Sequence, residues 1–140
     1  MKHKVLAYIT RERDGCRELL VFTHRDYPEA GVQVPAGTVE PDEATEAALF
    51  REIREESGLA NLKLVRELAE HEETEWGQIR HVFYLIAPNG TPDRWTHIVN
   101  GKGEDAGMVF EYCWLDLSDR VELAEAQHKW LGRLNGGGME

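Results

Sequence analysis

GTVEPDEATEAALFREIREESGL, Gly37 to Leu59, is the stretch that decides the fold. Between positions 40 and 56 it holds seven acids (Glu40, Asp42, Glu43, Glu46, Glu52, Glu55 and Glu56) against two arginines, Arg51 and Arg54. In a helix each residue advances by about 100°. Glu52, Glu55 and Glu56 then fall within an arc of roughly 100° and project to one side, with small Ala48 one turn earlier. Leu49, Phe50 and Ile53 occupy the adjacent arc and can pack on a sheet. Pro41 and Asp42 suit a first turn, and Gly58 suits a left-handed stop. The reading is a helix from Pro41 to about Ser57 with an apolar face beside a carboxylate face.

Three carboxylates on one face repel. At about 4 Å and an effective dielectric near 20, a like-charge pair costs about 4 kcal/mol. Solvent exposure, arginine pairing or a cation must compensate. Clustered hard oxygen donors are what Mg²⁺ and Mn²⁺ require. A solvated acidic helix face would show the same composition.

Outward from this helix the chain reads as strands. Val5 to Thr10 and Glu18 to Thr23 are apolar and joined by a charged turn carrying Asp14-Gly15, a hairpin signal. Tyr27 to Gly31 breaks the pattern, Val32 to Val34 is extended, and Pro35-Ala36-Gly37 reads as a turn. Beyond the helix, Leu62 to Glu75 and Gln78 to Ala87 read as strands joined at Trp76-Gly77. Pro88 to Gly107 is a long loop with a short strand at Trp95 to Val99, and Met108 to Leu117 is a further strand. Val121 to Leu134 reads as a second helix, with Leu123, Trp130, Leu131 and Leu134 facing the core. This order indicates an α/β or α+β layered domain, a mixed sheet between helices.

The 140 residues suit one domain, here positions 1–134 with a flexible tail at 135–140. Hydrophobic content of 41% and charged content of 30% describe a soluble globular chain. The net charge of −10 excludes an extended nucleic acid or an anionic membrane as partner, since both would repel it. A small phosphate ligand stays open, because a metal inverts the local sign. Cys16 and Cys113 sit in no CxxC pair, and the apolar run after Lys4 is too short for a signal peptide. The expected setting is the reducing cytoplasm, as monomer or homodimer.

Gly37, Glu43, Arg51-Glu52-Ile53, Glu55-Glu56 and Gly58-Leu59 occupy the spacing Gly, five residues, Glu, seven residues, Arg-Glu, aliphatic, any, Glu-Glu, any, Gly, aliphatic. This resembles the Nudix box at all nine defined positions over 23 residues. One minor departure precedes it: Ala36 stands where relatives often carry glycine. The resemblance implies a Nudix sandwich and metal-dependent hydrolysis of a nucleoside diphosphate linked to another group. It implies Glu52, Glu55 and Glu56 as metal ligands, with Glu52 and Glu56 foremost and the Gly37 carbonyl beside them. It gives Glu43 and Arg51 a structural ion pair, and Gly58 a cap. Mg²⁺ is the implied cofactor, with Mn²⁺ as substitute. The proton acceptor is Glu52 in some relatives and a later-loop acid in others; Glu104 and Asp105 are the candidates.

Substrate markers are weaker. Glu73 to Trp76 shows neither the proline of ADP-ribose hydrolases nor the tyrosine of dinucleoside polyphosphate hydrolases. Trp76, Trp95 and Tyr27 are candidates to stack on a base, and His24 and Arg25 to contact phosphate. No histidine falls in a metal-binding pattern. A non-catalytic ligand sensor and a plain acidic interaction domain are the rival readings, and the sensor class usually lacks the box glutamates that are complete here.

Overall fold

The strand signals are satisfied by one mixed sheet. The computed structural model describes residues 1–136. Its strands are β1 (Lys2–Arg13), β2 (Cys16–His24), β3 (Ala36–Thr38), β4 (Lys63–Glu73), β5 (Gln78–Ile86), β6 (Trp95–Ile98) and β7 (Val109–Asp116). The sheet order is β4-β5-β1-β2-β7-β6, with β3 on β1. β1 runs parallel to β5; the other pairs are antiparallel. The expected hairpin forms, with Asp14 and Gly15 both left-handed at φ 53° and 81°. That pair of positive angles matches the twist of the flanking strands.

Pro35-Ala36-Gly37 is not a turn. β1 pairs with β2 only from Thr10 onward, so its first half needs another partner. Residues 36–38 supply it, antiparallel to Leu6, Val5 and Lys4. Unpaired backbone groups in a sheet interior would be costly, and this requirement overrides the local turn residues.

Alternation along β1 feeds two cores. Val5, Ala7 and Ile9 pack with Leu20, Phe22, Phe83 and Leu85 beneath the helix α1 (Thr45–Ser57). Leu6 and Tyr8 pack on the other face with Leu19, Val21, Leu123 and Trp130. α1 buries Leu49 and Ile53 of its apolar arc and leaves Phe50 half-buried, while Ala48, expected on the carboxylate side, is buried as well. Each such large aliphatic contributes about 1.5–3 kcal/mol when buried.

α1 begins at Thr45, four residues later than Pro41 suggested. Asp42 has φ 64°, which no right-handed helix accepts, and Glu43 N–H donates to Glu40 O at 3.0 Å in a turn of its own. Gly58 closes the helix as expected, at φ 80°, donating to Arg54 O at 2.9 Å.

The second helix expected from Val121 to Leu134 is also corrected. Ala124–Trp130 forms a kinked 3₁₀ segment, and only Arg133–Gly136 is α-helical (α2). Glu125 and Ala126 are left-handed, at φ 57° and 56°. Tertiary bonds replace the helical ladder. Buried Gln127 accepts from Val34 N–H through Oε1 at 2.9 Å, its carbonyl accepts from the Tyr8 hydroxyl, and Trp130 N–H donates to that hydroxyl at 3.3 Å. Leu123, Trp130 and Leu134 are nevertheless buried and Leu131 is half-buried, so the apolar pattern marked the packing and not the helix type. Of the expected tail, Asn135 and Gly136 belong to α2, and positions 137–140 lie outside the described residues.

Candidate active site

The carboxylate face of α1 forms one wall of a cleft of about 840 Å³. Glu52, Glu55 and Glu56 line it, together with Gly37 and Thr38 of β3 and the loop after β6, including Gly101, Lys102, Glu104 and Asp105.

Arg51 organises the wall. Its Nε and Nη2 donate to the two Glu43 oxygens at 2.8 and 2.9 Å, Nη2 also donates to Thr38 O at 2.9 Å, and Nη1 donates to Glu55 Oε1 at 3.2 Å. One guanidinium thus ties the loop before α1, the end of β3 and the helix together. The bidentate bond holds Glu43 down to about 2 and raises Arg51 beyond its usual range.

Glu56 is nine-tenths buried, at 7% exposure, and accepts from Ala36 N–H at 3.2 Å. Burial, and after it the charge of Glu52, pushes its carboxyl well above the ordinary range. Glu52 is also raised, by burial first, and Arg51 pulls against that. The buried Tyr112 hydroxyl donates to Glu56 O at 2.7 Å and is itself raised, by burial and then by the Glu56 charge.

The fit to a divalent ion rests on space and donor chemistry. A Cβ on Gly37 would lie 2.0 Å from the Glu52 carboxylate, so only glycine lets backbone and carboxylate meet there. The donors are all oxygen, and two of the carboxyls are strained by burial and mutual repulsion that a cation would relieve. Each carboxylate is already partnered: Glu52 by the Thr38 backbone and by Arg51 Nη1 at 3.5 Å, Glu55 by the same Nη1, and Glu56 by Ala36 N–H. Glu52, Glu56 and the Gly37 carbonyl are the residues placed to hold an ion, with Glu55 beside them.

The other expected residues divide. Glu104 and Asp105 line the cleft, as does His24, whose buried Nδ1 has no hydrogen-bond partner. Arg25 is exposed, pairs with Asp26 at 3.2 Å and is not among the lining residues. Trp76 is 74% exposed on the 3₁₀ turn Thr74–Trp76, and Tyr27 is also exposed. Neither lines the cleft. Trp95 stacks on Tyr112 with centroids 4.9 Å apart, and its indole N–H donates to Ser57 O at 2.9 Å. Trp95 therefore braces α1 and lies outside the cleft lining.

Sequence reasoning missed three features. Lys2, Lys4 and Arg80 line the cleft from β1 and β5. The i,i+2 lysines on a strand were the available signal, since such a pair shares a face. Gly101, at φ 93°, leaves room for Glu55; a Cβ there would lie 2.5 Å from its Cδ. The third lies outside the cleft lining: His81 Nδ1 meets Glu67 at 3.1 Å and Glu70 at 3.7 Å, with ligand atoms within 4.8 Å of one another. His3 reaches His81 Nε2 at 2.9 Å, so the chain His3–His81–Glu67 satisfies this buried imidazole without an ion.

Residues 2–134 match the NUDIX domain family. The C. elegans Ap4A hydrolase in a binary complex has a similar fold, with TM-score 0.71 and 18% identity over 99% of this chain and 98% of that one. A MutT Nudix hydrolase from Burkholderia pseudomallei gives 0.54 and 24% over 96% and 100%. A UDP-X diphosphatase gives 0.66 and 15% over 99% and 64%. No curated protein sequence matches. The chain belongs to the Nudix family. It is a pyrophosphohydrolase of the Nudix type, and Gly37, Arg51, Glu52, Glu55 and Glu56 of the box line the cleft.

Proposed function

We propose that the protein hydrolyses a pyrophosphate bond in a nucleotide-like substrate, using Mg²⁺, for which Mn²⁺ substitutes. The observation that carries this is Glu52 and buried Glu56 facing one cleft beside Gly37, on a helix locked by Arg51. A bound divalent ion would neutralise non-bridging phosphate oxygens and acidify a water.

The protein's own residues do the rest. Glu52, Glu56 and the Gly37 carbonyl would hold the ion, and Arg51 keeps Glu55 and Glu43 in place. Water oxygen attacks one phosphorus, the bridging P–O bond breaks, and the released oxygen leaves on the second phosphate. Glu52, a carboxylate lining the cleft, takes the water proton. Glu104 lines the same cleft from the loop after β6.

Cleavage of a nucleotide panel with and without chelator tests this. Turnover that needs Mg²⁺ and rises toward alkaline pH is expected; full turnover in excess chelator would overturn it. No helix among the described residues is long and apolar enough to cross a membrane. Cys16 and Cys113 are free thiols, which suits the proposed cytoplasmic setting.

A further inference from the structure

We propose that Glu67, Glu70 and His81 form a Zn²⁺ site on the β4 edge of the sheet, separate from the carboxylates of α1. None of the three lines the cleft, so the site stands apart from the hydrolase reading.

A β-bulge builds the cluster. Residues three apart on a regular strand point to opposite faces. In β4 the register runs Glu67↔Phe83, Ala69↔Val82 and Glu70↔His81, so two steps along β4 answer one step along β5. The extra residue sends Leu68 and Ala69 together into the core on the face away from α1. Glu67 and Glu70 are thereby turned to the same face, the one that carries Phe83 and His81. Bulges re-aim side chains in this way.

Two carboxylates converge on one imidazole as a result. His81 is 7% exposed, and its Nδ1 lies 3.1 Å from Glu67 Oε2 and 3.7 Å from Glu70 Oε1. All three ligand atoms lie within 4.8 Å of one another. Around a tetrahedral Zn²⁺ with bonds of about 2.0–2.2 Å, neighbouring ligand atoms are roughly 3.4 Å apart. The distances from Nδ1 to the two carboxylates bracket that spacing. A proton on Nδ1 completes the chain to Glu67 but leaves Glu70 beyond hydrogen-bond reach. A divalent ion in the place of that proton serves both carboxylates.

His3 supplies the outer contact of a ligating imidazole. Its Nδ1 lies 2.9 Å from His81 Nε2, with the rings stacked and their centroids 5.2 Å apart. When His81 Nε2–H donates to His3 Nδ1, the His81 Nδ1 lone pair faces the carboxylates, which is the tautomer a metal requires. Glu67 and Glu70 are exposed, so the open side of the site admits a water as fourth ligand. One imidazole nitrogen with two carboxylate oxygens suits Zn²⁺, whereas the all-oxygen donors of α1 suit Mg²⁺.

Calorimetry with Zn²⁺ in saturating Mg²⁺ tests this on the whole chain. Glu67→Gln, Glu70→Gln, His81→Gln and His3→Phe are compared with wild type and with the double variant Glu52→Gln/Glu56→Gln. Wild type should bind a single Zn²⁺ under Mg²⁺, and the Glu52/Glu56 double variant should bind it equally well. Glu67→Gln and Glu70→Gln should each weaken binding by about tenfold or more, and His81→Gln should abolish it. His3→Phe should weaken it by about ten- to a hundredfold, the usual effect of losing an outer contact to a ligating histidine. Zn²⁺ should raise the melting temperature of wild type and leave that of Glu70→Gln unmoved.

No Zn²⁺ bound in the presence of Mg²⁺, binding lost in the Glu52/Glu56 double variant, or binding unchanged in either glutamate variant would overturn the site. Should His81→Gln fail to fold, Glu67→Gln and Glu70→Gln decide, since both positions are exposed. Turnover enters none of these readouts, so the outcome leaves the hydrolase reading to its own test.

Discussion

His97 Nε2 lies 3.0 Å from the carbonyl oxygen of Glu55, at the point where α1 runs out of its own hydrogen-bond donors. The last four carbonyls of a helix have no intrahelical partner. Here each finds one. Arg54 O accepts from Gly58 N–H, Glu55 O also accepts from Asn100 N–H at 2.9 Å, Glu56 O accepts from Tyr112 Oη and Ser57 O from Trp95 Nε1. The end of the carboxylate helix is thus fixed by β6, β7 and the loop between them.

Trp95→Phe tests this bracing against a role in base stacking. Phenylalanine retains an aromatic face for Tyr112 and loses the bond to Ser57 O. Stability should fall by about 1 kcal/mol, a typical net hydrogen bond. Substrate ranking should not move. Melts and relative rates across a nucleotide panel check both; a changed ranking with an unchanged melt would return Trp95 to the binding surface.

Glu52→Gln and Glu56→Gln should each remove most activity and abolish stabilisation by Mg²⁺. In wild type, metal at 100 times its dissociation constant should stabilise by about 2.7 kcal/mol. In chelator each variant should match or exceed wild type, because it removes a charge that burial and a neighbouring carboxylate already disfavour. In Glu56→Gln the side-chain amide oxygen can still accept from Ala36 N–H. Thermal melts with and without Mg²⁺ decide it, and a variant melting well below wild type in chelator would move the metal site to the remaining acids.

Acid and alkaline limbs of stability should have different owners. Glu43 is lowered to about 2, so its pairing with Arg51 is fully present above 4.5 and is lost as pH falls toward 2. Glu52 and Glu56 are raised, so without metal their ionisation destabilises the fold as pH climbs past 4.5 through their elevated values. Denaturant titrations in chelator should show both slopes. Glu43→Gln should flatten the first, and Glu56→Gln the second.

Gly101→Ala should lower turnover without changing which substrates are taken. The residue sits at φ 93°, and the new methyl would press on the Glu55 carboxylate. That shifts Glu55 relative to Arg51 Nη1. A fall of about tenfold in kcat is expected, in line with small misplacements near a reacting centre. Glu104→Gln is the matching loop variant: abolished turnover on every substrate would transfer the proton-accepting role from Glu52 to Glu104.

The box was legible because all its information is local. Spacing within one helix sets which side Glu52, Glu55 and Glu56 face, and Gly58 stops it wherever it is placed. The hairpin at Asp14-Gly15 was legible for the same reason. What depended on distant residues was not. Glu125 and Ala126 turn left-handed because Gln127 bonds Val34 and Tyr8, more than ninety positions earlier. β3 is a strand because β1 lacks a partner there. Trp95 and Trp76 differ only in what surrounds them, and composition carries no record of that. Lys4 and Arg80 become neighbours through a parallel pairing across 76 residues, which no local pattern signals.

The tethering of the end of α1 also sets an order of events while the chain is being made. The helix, complete at Ser57, emerges well before His97, Asn100 and Tyr112, the residues that fix its last turn. β1 likewise waits for β5 to close its second edge. Domains take shape as the chain lengthens, and distant pairings come late. The nascent chain therefore carries its three glutamates on a loose helix for some fifty residues of synthesis, roughly 3–10 seconds at common elongation rates. Only when Tyr112 is in place does the helix acquire the rigidity that an ordered ion demands, so hydrolytic competence arrives with the last strand.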